Sequence, residues 1–70
     1  MTAVEARELI GVFGLIHANG SLYDKILHGR IIEVDNRNIL FEDNFEFIHL
    51  FKTAKVVSFE PMEFKPKQDV

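Results

Sequence analysis

The side chains able to do chemistry are few. Asp35, Glu42 and Asp43 form the carboxylate grouping best suited to acid–base work. No paired nucleophile and base accompanies them, and no glycine-rich phosphate loop does either, so catalysis is not expected. The histidines His17, His28 and His49 are 11 and 21 residues apart, which matches no metal-ligand spacing. With no cysteine, disulfides and thiolate metal sites are excluded, and no metal or cofactor is expected. The other candidates are polar. Asp35-Asn36-Arg37-Asn38 reads by residue type as a solvated hairpin turn, because Asn tolerates turn backbone angles. Lys52 and Thr53 follow a second apolar run. Tyr23, Lys25 and Arg30 are weaker candidates: Tyr23 could stack on a base, but a loop tyrosine more often packs back onto its own domain.

Short elements must position these residues. Thr2 followed by Glu5 forms a capping box, which predicts a helix start. Ala3, Ala6 and Ile10 share one face, and Gly11 and Gly14 weaken a helix interior, so the helix is read as ending near residue 10 or 11; the rival reading runs it on to Gly20 as its terminating glycine. "VFGLIH" then begins a first strand, and residues 18 to 24 form a loop around Asn19-Gly20. Residues 25 to 35 and 39 to 42 read as two strands joined by a hairpin connection. Residues 45 to 51 alternate Phe45, Phe47, His49 and Phe51 against Glu46, Ile48 and Leu50, and read as a fourth strand. Residues 55 to 61 make the fifth, which Pro61 ends. Residues 62 to 70 form a polar tail.

Both faces of the long second strand are partly apolar: Leu27 and Ile31 point one way, Ile26, Ile32 and Val34 the other. Gly29 within that strand fits a sharp bend, as a small barrel requires. The expectation is a mainly β chain, with a short N-terminal α-helix and a small, strongly bent, five-stranded antiparallel barrel over residues 1 to 61.

Seventy residues limit the chain to one domain, and such a chain buries only about 60% of its unfolded surface. Without disulfide or metal, association is the expected extra source of stability. Seven Phe side chains point the same way, since exposed apolar patches mark interfaces. Eight Lys and Arg against eleven Asp and Glu give a net charge of −3, which argues against tight non-specific binding to a phosphate backbone but leaves room for a local basic patch. No apolar run approaches membrane-spanning length, and the acidic N-terminus is unlike a signal peptide, so a cytoplasmic protein is expected.

The segment from residue 26 to 43 resembles the first motif of the Sm-like and Hfq-like RNA-binding proteins. The matching features are Gly29, Ile31 two residues on, Asp35 six residues after the glycine, a hairpin, and the apolar run Ile39, Leu40, Phe41 ending in Asp43. "FKTA", residues 51 to 54, resembles the short second motif, which reads Tyr-Lys-His-Ala in Hfq. The N-terminal helix and Pro61 also suit the family, and the resemblance spans residues 2 to 61. Thr53 stands where Hfq has histidine, and Arg37 where it has a base-stacking phenylalanine.

The resemblance implies a homo-oligomeric ring of roughly five to eight subunits, with the fourth strand of one copy paired to the fifth of the next. Phe45, Phe47, Phe51, Val57 and Phe59 would be buried in that interface. The loops carrying Asp35, Asn36, Arg37 and Asn38, and Lys52 and Thr53, would line a central pore. Arg37 and Lys52, repeated around it, would form a basic circle for the phosphates of single-stranded RNA, or DNA, with Asn36 and Asn38 reading base edges. The competing expectation is a small β-barrel that binds a protein, such as a phage accessory protein directed at a host factor.

Overall fold

A computed structural model describes residues 1–63. The element order is α1 (Ala3–Glu8), β1 (Phe13–Ala18), β2 (Lys25–Val34), β3 (Asn38–Asp43), β4 (Ile48–Lys52), the 3-10 turn η1 (Thr53–Lys55) and β5 (Val56–Pro61). All five strands lie in one antiparallel sheet, ordered β4-β3-β2-β1-β5. The sheet does not close into the expected barrel; β4 and β5 are its two edges. The expected polar tail lies, from residue 64 onward, outside the described residues.

The capping box forms as its residues dictate. The Thr2 hydroxyl oxygen accepts from the Glu5 amide at 3.2 Å, and a Glu5 carboxylate oxygen accepts from the Thr2 amide at 3.1 Å. The bond from the Thr2 amide lowers the Glu5 carboxyl pKa most, and the Thr2 hydroxyl, which donates to the same carboxylate oxygen at 3.0 Å, lowers it next. The helix ends at Glu8, earlier than expected, and Gly11 turns the chain at φ +83°. Ending there exchanges the inward residue: Leu9 packs on the core and Ile10 is exposed.

β1 alternates as a half-buried strand should, with Gly14, Ile16 and Ala18 inward. β2 carries a register shift between Ile31 and Glu33. One extra residue there reverses the facing of the residues beyond it, so Val34 packs toward the core on Ile31's side, not on the opposite face expected for it. Ile26 and Ile32 point outward. The core comprises Ala6, Ile16, Ala18, Ile31, Ile39, Phe41, Phe51 and Val56, which places the helix against the inner face of the sheet.

Gly29 is required by close approach. It faces Gly14 on β1 and Asp43 on β3, and a Cβ at Gly29 would run into the Glu42 carbonyl oxygen. A Cβ at Gly14 would meet the Glu60 carbonyl oxygen at 2.5 Å and the Phe59 ring at 2.6 Å. The glycine read from sequence as permitting a bend is placed here by close packing.

The expected fourth strand is shortened. Residues 45 to 47 belong to a turn instead, because the Asp43 carboxylate accepts from the Phe45 amide at 2.8 Å and the Phe47 amide at 3.0 Å. The backbone closes that turn with a bond from the Asp43 amide to the Phe47 carbonyl at 2.9 Å, and Glu46 sits at φ 68°. Regular pairing resumes at Ile48.

Candidate nucleic-acid interface

Asp35 builds the first half of the site. One carboxylate oxygen accepts from the Arg37 and Asn38 amides, each at 2.7 Å, and the other accepts from the Asn38 side-chain amide at 3.4 Å. A bond from the Asp35 amide to the Asn38 carbonyl at 3.0 Å closes the turn. The Arg37 amide lowers the Asp35 pKa most, the Asn38 amide next, with smaller help from the Asn38 side chain and the Arg7 charge; partial burial opposes them. The charged carboxylate thus acts as a clamp that presents Asn36 and Arg37 at the turn's tip.

The second half arrives from β4. Asn38 and Lys52 lie directly opposite in the β3–β4 ladder. One residue on, the Thr53 amide donates to the Arg37 carbonyl oxygen at 2.8 Å. The structure therefore brings together all six residues singled out in sequence, Asp35, Asn36, Arg37, Asn38, Lys52 and Thr53, at one end of the sheet. Arg37 and Lys52 are exposed there, while Thr53 is half-buried. Two cations on neighbouring segments can take the phosphates of an extended strand, and Asn38, which follows Arg37 and lies opposite Lys52, joins them in the ladder.

Arg7 is a participant the sequence reading missed. From the last turn of α1 its guanidinium donates to the Asn36 side-chain oxygen at 3.0 Å. That bond occupies an acceptor otherwise available to a base edge, so Asn36 serves the turn as well as any ligand. A basic residue ending a short helix was the only sequence signal, and nothing in it specified the partner.

Two histidines pair locally with carboxylates. His17 lies 2.9 Å from Asp24, and His49 lies 2.7 Å from Asp43. Asp43 is held below its usual pKa, first by the His49 hydrogen bond and then by the Phe47 and Phe45 amides and the His49 charge, against partial burial. Among the described residues, no group of three or more His, Cys, Asp or Glu is placed to hold a metal, and no helix is long and apolar enough to cross a membrane.

The residues expected at an oligomer interface divide. Phe45 and Phe47 are 80% and 66% exposed in the β3–β4 turn, and Val57 is exposed on β5. Phe59 is half-buried over Gly14. Phe51 belongs to the core of its own chain, with its ring 6.2 Å from that of Phe41. On β4 it is Ile48 and Leu50, unremarked in sequence as interface residues, that face outward. Compared with known proteins, the chain matches no family model, no curated protein and no solved structure.

Proposed function

We propose that copies of this chain associate edge to edge, β4 to β5, into an Sm-like ring that binds single-stranded RNA at the Arg37–Lys52 cluster. The observation that carries the reading is the bond between the Thr53 amide and the Arg37 carbonyl, which fixes two cation-bearing turns side by side. Two further features support it. Among the described residues the sheet has two unpaired edges, which natural proteins seldom leave open without a partner or a blocking device. Apolar side chains are exposed beside them: Phe47, Ile48 and Leu50 near one edge and Val57 on the other. Around a ring the sheets of successive copies would complete one continuous β surface.

The test has two parts. Light scattering on the 8.1 kDa chain should give a discrete assembly of roughly five to eight copies. Replacing Arg37 and Lys52 together by Ala should abolish binding of a short oligouridylate without changing that mass. A loss of assembly in the double variant would move these residues from the ligand site to the interface.

A second reading, a module that binds a protein, is favoured by apolar exposure in the β1–β2 loop, where Leu22 is 92% and Tyr23 72% exposed. A monomeric mass with no RNA binding would select it.

A further inference from the structure

Next to the Arg37–Lys52 cluster lies a concavity of about 310 Å³, at the small end of the range for ligand pockets. Three ammonium groups border it: Lys25 at the start of β2, Lys52 at the end of β4 and Lys55 at the end of η1. Among the described residues, no carboxylate lines it. Asp24, the acid beside Lys25 in the chain, is held by His17 instead. In a chain of net charge −3, three cations around one concavity with no acid among them concentrate positive potential where the average is negative.

The walls are fixed. The Asn19 amide donates to the Lys55 carbonyl at 2.8 Å, which ties the β1–β2 loop to η1, and η1 is tied in turn to the β2–β3 turn through Thr53 and Arg37. Leu50 and Phe51 supply an apolar side, and the Gly20-Ser21 backbone forms the rim. Lys52 belongs to both the concavity and the Arg37 cluster, so the two are continuous.

We propose that this pocket is a second anion subsite, which takes a phosphate group of a nucleotide while the sugar or base rests against Leu50. The inference deepens the RNA-binding reading and rests on it: the natural source of the phosphate is the same strand that crosses Arg37, one or two nucleotides further along. A free nucleoside monophosphate carries the same chemistry, and the experiment separates the two.

The 15N-labelled full chain is titrated with uridine monophosphate and, separately, with a short oligouridylate, following the amides of Gly20, Ser21 and Lys55. The oligonucleotide is expected to shift all three. Replacing the exposed Lys25 and Lys55 by Ala, with Arg37 and Lys52 intact, should remove those shifts and weaken oligonucleotide binding about tenfold. It should also reduce the slope of log affinity against log salt by about 0.7, the contribution of one neutralised phosphate of a single strand. Shifts with the oligonucleotide alone assign the phosphate to the strand. Shifts with the monophosphate and no oligonucleotide binding would keep the subsite and remove the RNA reading. If Lys25→Ala with Lys55→Ala leaves affinity and slope unchanged while Arg37→Ala with Lys52→Ala abolishes binding, the RNA reading stands and the subsite is refuted. Unmoved Gly20, Ser21 and Lys55 amides with both ligands would refute it too.

Discussion

Gly14 and Gly29 face each other directly across β1 and β2, each beneath a different neighbour. Phe59 of β5 covers Gly14, and the Glu42–Asp43 backbone of β3 covers Gly29. The paired absence of side chains lets β5 and β3 both close in on the middle of the sheet. Gly29→Ala should therefore destabilise the chain by about 1–3 kcal/mol, as overpacking does, because the backbone it meets lies in a central strand. Gly14→Ala should cost less, since the Glu60 carbonyl and the Phe59 ring it would meet both belong to an edge strand, which can move. Urea unfolding of both variants checks the order; equal losses would place the constraint in the ladder and not in the neighbours.

Phe47 and Phe51 separate chain stability from assembly. Phe51→Ala should destabilise the folded chain by about 3–5 kcal/mol, the usual cost of emptying a buried aromatic site. Phe47→Ala should leave the unfolding midpoint of dilute protein within about 0.5 kcal/mol of the parent, as exposed positions do. Its effect is expected in the solution mass, which should fall if the β3–β4 turn meets a neighbouring copy.

The depressed pKa of Asp43 sets a pH dependence. A carboxylate stabilised in the folded state contributes fully above its unfolded value, about 3.9, and loses that contribution as pH falls through its lower folded value. Asp43→Asn should thus be less stable than the parent at neutral pH, and the gap should narrow below about pH 4. Urea midpoints of both proteins from about pH 2.5 to about pH 7, which spans the range where carboxylates titrate, would show this convergence. A constant gap would mean the turn depends on shape and not on charge.

Arg7 should act on binding through Asn36. Arg7→Ala releases the Asn36 side chain, so the turn tip gains freedom that a ligand must then remove. The expected result is a several-fold weaker oligonucleotide affinity, on the order of 1 kcal/mol per ordered side chain, with a helix that remains folded by circular dichroism. Arg7→Lys should restore little, because an ammonium lacks the planar reach of the guanidinium.

The local signals in the sequence carried well. The capping box, the loop at Asn19-Gly20, the turn after Asp35 and the stop at Pro61 all depend on contacts within a few residues, and each formed as read. Readings that depended on long-range register fared worse. The alternation of Phe45, Phe47, His49 and Phe51 has the period of a strand, yet Asp43 outcompetes the ladder by capping the next amides. The Asp43-Asn44 pair was the available turn signal. Val34 changed faces because a bulge inserts a residue, and a bulge has no mark in a single chain's hydrophobic pattern. The six candidate ligand residues were named from two distant segments, and their meeting depends on β3–β4 pairing that starts at Asn38 and Lys52.

The two free edges differ from each other, and that difference has a consequence for growth. Pairing β4 with β4 would satisfy one edge in each of two copies and stop. Pairing β4 with β5 always leaves one of each kind exposed, so every added copy presents the same invitation as the last. Such a chain of contacts ends only when the rotation per copy brings the first edge back to meet the last; if it does not, the product is a helical filament. If copies of this chain pair in that way, the bend that the β2 bulge gives its strand bears on whether the product is a finite particle or an open polymer.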